Sequence, residues 1–142
     1  MKTVAQLLAL KPSGIVAVAP DVTVLDAVKL LAEKNIGAVL VMDGPRLVGM
    51  FSERDYARKV DLKGKSSAST PVSEVMTREV VFVTPTHTNE DCMALMTDKR
   101  IRHLPVVAND QVVGLLSIGD LVKDIISEQQ FIISQLESYI HG

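Results

Sequence analysis

A mixed α+β fold, made by using one small unit twice, is what this 142-residue sequence predicts. Shifted by 65 residues, 18–56 lies without a gap on 83–121, and twelve of those thirty-nine pairs are identical. Ordinary residue usage gives about two or three. The identities fall where physical demands are strict: Pro20/Pro85, Thr23/Thr88, Asp26/Asp91, Ile36/Ile101, Val41/Val106, Gly49/Gly114, Ser52/Ser117 and Asp55/Asp120. With 47% apolar and 23% charged residues, the chain can bury one good core. Two copies are too few for a stacked array, so they are expected to close on each other about a pseudo-twofold axis, with the function where they meet.

Each copy opens with a β-branched run, Ile15-Val16-Ala17-Val18 and Val80-Val81-Phe82-Val83, that ends ahead of a proline unable to continue a ladder. A first strand is predicted in both. Thr23 and Thr88 then offer a hydroxyl to helix N–H groups, and Asp26 and Asp91 sit three residues on in the positive first turn. Helices follow, with apolar stripes at Leu25, Val28, Leu31 and Ala32 and at Cys92, Leu95 and Met96, ending at Asn35 and Arg100. The apolar runs 38–42 and 103–107 read as buried strands, and turns at Asp43-Gly44-Pro45-Arg46 and Ala108-Asn109-Asp110-Gln111 send 47–51 and 112–116 back as antiparallel partners. Ser52 and Ser117 begin a second helix. The unit is β-α-β-β-α, and Pro105, lacking an N–H, places its strand at an edge or at the end of its pairing.

Outside the gap-free match, 3–8 and 72–76 each read as a short helix leading into a first strand, while the Lys-, Gly- and Ser-rich stretch 61–70 reads as a linker. The expected organisation is a first repeat at 1–60, a linker at 61–70, a second repeat at 71–126 and a helical extension at 127–142. In 121–140, Ile125, Ile126, Ile132, Ile133, Leu136 and Ile140 form an amphipathic helix longer than one unit needs, suited to packing or to an oligomer contact.

A formal charge of −2 argues against a duplex nucleic-acid binder, and no run approaches the ~20 apolar residues of a membrane span. The single cysteine, Cys92, cannot form an internal disulfide and fits a reducing compartment, with the cytoplasm as the expected location. His87, His103, His141 and Cys92 lack metal-site spacing, and no nucleophile–base pair is visible, so neither a metal nor catalysis is expected.

The strongest local signal is Gly49-Met50-Phe51-Ser52-Glu53-Arg54-Asp55, repeated as Gly114-Leu115-Leu116-Ser117-Ile118-Gly119-Asp120. Its plainest meaning is a capping box, with Ser satisfying a helix N–H and Asp favouring the helix dipole. The same junction is also an anion site, a carboxylate there suits the hydroxyls of a ribose, and the glycine would let a ligand approach the backbone. Arg100, Arg102 and His103 occupy positions held by Asn35, Gly37 and Ala38 in the other copy, whereas Arg54 faces Gly119. Guanidinium groups suit phosphate, so the clefts are expected to prefer different ligands or phosphorylation states.

In these two segments, in Arg100-Ile101-Arg102-His103-Leu104-Pro105-Val106-Val107 and in Pro71-Val72-Ser73-Glu74-Val75-Met76-Thr77, the chain resembles the CBS-domain family over nearly its whole length. The resemblance implies a stand-alone pair of CBS repeats with two clefts for adenosyl ligands such as AMP, ADP, ATP, NAD(H) or S-adenosylmethionine. By it, Ser52 and Asp55 serve one cleft and Ser117 and Asp120 the other. Ile15, Val80, Ala38, His103, Leu104 and Pro105 would surround base and sugar. Arg102, from its guanidinium chemistry, and Arg54 are also expected ligand contacts. It further implies an allosteric energy or redox sensor, a homodimer and a regulated partner protein. The rivals are a nucleotide-processing enzyme using Asp55 or Asp120 and a nucleic-acid-binding module using the basic linker around Lys63 and Lys65.

Overall fold

A computed structural model describes residues 1–12 and 14–141; Ser13, and Gly142 at the end of the expected extension, lie outside the described residues. In chain order the elements are α1 (Val4–Ala9), β1 (Ala17–Val18), α2 (Val24–Lys34), β2 (Ala38–Asp43), β3 (Arg46–Ser52), α3 (Glu53–Asp55) running on as a π-helix (Tyr56–Asp61), a 3-10 turn (Val72–Glu74), α4 (Asn89–Lys99), β4 (His103–Ala108), β5 (Gln111–Ser117) and α5 (Ile118–His141). They form two compact units, one continuous (Ile15–Val81) and one discontinuous (Met1–Gly14 with Phe82–Gly142).

In the continuous unit β1 pairs parallel with β2, and β2 pairs antiparallel with β3. Thr23 caps α2, its Oγ1 accepting the Asp26 N–H at 3.2 Å, and Asn35 ends the helix in the left-handed region at φ 54°. The helix buries Val24, Ala27 and Leu31 against Val39, Val41 and Phe51 of the sheet and Val60, Val72, Val75 and Met76 of the later segments. Each large apolar side chain so buried contributes about 1.5–3 kcal/mol.

The discontinuous unit repeats the pattern with β4 and β5 antiparallel. Thr88 and Asp91 complete a capping box on α4, which ends at Arg100 with φ 55°. Asn109 and Asp110 both adopt positive φ, 51° and 61°, as a hairpin turn matching strand twist requires. The first strand predicted at 80–83 shrinks to one parallel bridge, Val83 with Val106. The cause is Pro105. In the continuous unit Leu40 donates its N–H to the Val16 carbonyl at 3.3 Å, but Pro105 stands at the equivalent position and has no N–H to give.

The lead-in segments do not stay with the repeats they precede. Residues 1–14 pack in the unit of the second repeat: Val4 N–H donates to His87 O at 2.8 Å, Ala5 N–H to Pro85 O at 3.0 Å, and Asn89 N–H to Lys2 O at 3.0 Å. The same three bonds recur in the continuous unit as Val72 to Val22 (2.8 Å), Ser73 to Pro20 (3.0 Å) and Val24 to Thr70 (2.9 Å). Within the repeats these residues keep the 65-residue shift, while the lead-in residues match at 68, which is why the gap-free match stops short of them.

This docking also explains the two conserved-in-repeat glycines. A Cβ on Gly49 would lie 2.6 Å from Met76 Sδ and 2.9 Å from the Thr77 carbonyl, and one on Gly114 would lie 2.6 Å from Leu8 Cδ2. Expected to admit a ligand to the backbone, they instead admit a lead-in segment, because Met76 and Leu8 already occupy the space above them.

The terminal helix α5 covers 24 residues but buries only Leu121 and Asp124. Asp124 accepts from Asn89 Nδ2 at 2.8 Å and Lys2 Nζ at 3.1 Å. Farther along, Phe131, Ile132, Ile133, Leu136, Tyr139 and Ile140 are exposed. Among the described residues no helix is long and apolar enough to cross a membrane.

Candidate functional site

Both Ser–Asp pairs stand at the strand-to-helix junctions where the sequence put them. In the continuous unit the Asp55 N–H donates to Ser52 Oγ at 3.2 Å, and Asp55 Oδ2 accepts from Ser52 N and Ser52 Oγ, each at 3.0 Å. In the discontinuous unit the Asp120 N–H donates to Ser117 Oγ at 3.3 Å, and Asp120 Oδ2 accepts from Ser117 N at 2.8 Å and Ser117 Oγ at 3.1 Å. The capping geometry is therefore fully made in both. It also turns each carboxylate back over the end of its strand, where a helix N-terminus adds positive potential.

Strand register brings further expected residues alongside. Ala38 pairs with Ser52, and His103 pairs with Ser117. The backbone closes the junctions alike, Glu53 N–H donating to Gly37 O at 3.0 Å and Ile118 N–H to Arg102 O at 2.8 Å. Arg102 is thus tied by its carbonyl to the first turn of α5, with its side chain exposed. Ile15, Ala38, Ser52, Arg54, Asp55 and Val80 belong to the continuous unit; Arg102, His103, Leu104, Pro105, Ser117 and Asp120 belong to the other. Ile15 and Arg54 are exposed and Val80 half-buried. Ala38 and Leu104 are buried, 1% and 0% exposed, so neither presents surface to a ligand in this conformation.

Three residues that the sequence reading missed touch the carboxylates. Asp55 Oδ1 accepts from Thr77 Oγ1 at 3.1 Å and pairs with Lys59 Nζ at 2.8 Å. Asp120 Oδ2 pairs with Lys11 Nζ at 2.9 Å, and the same ammonium donates to the Leu115 carbonyl at 2.7 Å. Lys59 carried a local signal, four residues beyond Asp55. Thr77 and Lys11 lie 22 and 109 residues from their carboxylates and carried none. Around Asp120, burial pushes the carboxyl pKa up, but the Ser117 N–H and the Lys11 ammonium outweigh it and hold the group below its ordinary value. It is an anion at any physiological pH.

In the basic linker, Lys65 Nζ lies 4.0 Å from Glu74 Oε2. The buried Cys92 thiol is pushed up to about 11 by burial, with Asp91 adding to the effect, and is not a nucleophile at neutral pH.

Comparison with known proteins gives a consistent answer. A family model described as CBS domain matches residues 12–61 and again 72–127. CBS domain-containing protein CBSX3, mitochondrial, of Arabidopsis thaliana is 42% identical over 127 residues, which span 86% of this chain and 62% of that protein. A protein with CBS domains from Burkholderia ambifaria has a solved structure that superposes with a TM-score of 0.87 at 51% identity, over 90% of this chain and 96% of that one. The CBS domain pair of protein MJ0100, solved with 5′-methylthioadenosine and S-adenosyl-L-methionine, shares the fold at a TM-score of 0.78 and 22% identity, over 87% of this chain and 99% of that one.

Proposed function

The chain belongs to the CBS domain family, and from that premise we propose that it is a regulatory module for an adenine nucleotide or related adenosyl ligand, read by a partner protein through ligand-dependent geometry. The observation that carries the reading is the pre-oriented Ser–Asp pair at the head of α3 and again at the head of α5. Helix-start N–H groups suit phosphate oxygens, and a carboxylate fixed beside them suits the vicinal hydroxyls of a ribose. The class of ligand is supported by the adenosyl compounds bound to MJ0100. Arg102, whose carbonyl accepts the Ile118 N–H at the head of α5, carries a guanidinium suited to phosphate, which favours AMP, ADP, ATP or NAD(H) over an uncharged nucleoside.

Regulation rather than catalysis is supported by carboxylates that are held in place by Ser and Lys donors, an arrangement suited to binding. The exposed apolar face of α5 supports a homodimer, and the inert, buried Cys92 thiol suits the cytoplasm.

A thermal unfolding panel with AMP, ADP, ATP, NAD(H) and S-adenosylmethionine tests the reading. A ligand at a hundred times its dissociation constant stabilises by ~2.7 kcal/mol, a shift of several degrees. A melting temperature that no member of the panel moves, even at millimolar concentration, rejects the proposal.

A further inference from the structure

We propose that the two carboxylates are not equivalent: Asp120 is the residue that takes a ligand's ribose hydroxyls, while Asp55 is closed by Thr77 and Lys59, so that one adenosyl ligand binds per chain. The inference rests on the nucleotide reading above and sharpens it.

A carboxylate has about four lone-pair directions. Asp55 receives four donors, Ser52 N and Ser52 Oγ on Oδ2, and Thr77 Oγ1 and Lys59 Nζ on Oδ1. A ribose that reaches it must first displace a hydroxyl held by the strand-like bridge between Thr77 and Met50, whose two backbone bonds are 2.8 and 2.9 Å. Among the described residues, the three donors on Asp120 all fall on Oδ2, which leaves Oδ1 its acceptor capacity. Its side chain is also the more open, at 20% against 10% exposure.

The sequence differences account for this. Lys59 matches Asp124 in the second repeat, and Asp124 is turned away into its own bonds with Lys2 and Asn89. Thr77 matches Ala9 in the register that aligns the lead-in segments, and alanine has no hydroxyl. In its place Lys11 ties Asp120 and the Leu115 carbonyl together, as Thr77 ties Asp55 and the Met50 carbonyl, but it loads the oxygen already used by Ser117. Lys11 is a positioning residue that holds the carboxylate charged and leaves its other oxygen for a ligand.

Isothermal titration of the full chain with whichever of AMP, ADP, ATP, NAD(H) or S-adenosylmethionine binds most tightly decides the matter. The expected result is one ligand per chain, an affinity at least tenfold lower in Asp120→Asn, and a stoichiometry that rises toward two in Thr77→Val/Lys59→Met, where both blocking donors are gone. Two equal sites in the unaltered chain, undiminished binding in Asp120→Asn, or a stoichiometry of one in the double variant overturns it. The unaltered chain needs no substitution, so the two-site outcome is readable even if a variant fails to fold. Two equal sites would leave the nucleotide reading standing, whereas no binding by any member of the panel would remove both.

Discussion

Asp120 is held ionised by the Ser117 N–H and the Lys11 ammonium against the cost of its burial. A carboxyl whose pKa is depressed on folding stabilises the protein above its unfolded value, near 3.9, and that stabilisation is lost as the pH falls through the lower folded value. Asp124 behaves alike: burial pushes it up, but the Asn89 and Lys2 bonds outweigh that and lower it. Urea midpoints measured from pH 6 down to pH 2.5 should therefore fall steeply below about pH 4, and Asp120→Asn should flatten that fall. An unchanged slope would mean the carboxylate is not tied as described. Cys92 gives the opposite sign. With its thiol pushed up to about 11, it should resist alkylation at pH 8 in the folded protein and react at once in denaturant. The Ser–Asp pairs were legible in the sequence because a capping box is written within four residues. Lys11 was not, since an ammonium 109 residues from its carboxylate leaves no periodic or local trace.

At the scale of elements, caps and turns obeyed local chemistry. Thr88→Ala should cost about 1 kcal/mol by removing the acceptor for the Asp91 N–H, a loss readable by urea unfolding. The glycines in β3 and β5 make a sharper test because their neighbours differ in kind. A methyl on Gly49 meets a backbone carbonyl as well as Met76, whereas a methyl on Gly114 meets the flexible end of Leu8. Gly49→Ala should cost about 1–3 kcal/mol and Gly114→Ala clearly less, by equilibrium unfolding. Equal costs would show that the Thr77 carbonyl yields as easily as a leucine methyl. The shortened first strand of the second repeat was half-legible: Pro105 announced an edge, but the loss of all but one bridge depends on which partner needed its N–H. The π-helical run after Asp55 had no sequence signature at all.

For the whole molecule, the far part of α5 leaves an apolar face exposed within one chain. Ile132 and Leu136 stand one turn apart on it, 47% and 58% exposed. If that face makes the proposed homodimer, Ile132→Asp/Leu136→Asp should halve the mass measured by light scattering without lowering helix content, and an unchanged mass would place the contact elsewhere. The duplication itself was plain in the sequence, since repetition survives wherever both copies face the same demands. The exchange of lead-in segments was hidden, because three backbone hydrogen bonds between residues some 80 positions apart place no requirement on side-chain type.

That exchange has a consequence for biosynthesis. A ribosome releasing about 5–20 residues per second delivers α1 first, yet its docking partners Pro85, His87 and Asn89 emerge only several seconds later. Residues Ile15–Val81 form an uninterrupted stretch and can condense while the nascent polypeptide is still growing, whereas α1 must wait, half-apolar, for the segment from Phe82 onward. A chaperone that engages this chain during translation would find α1 to be a persistent handle.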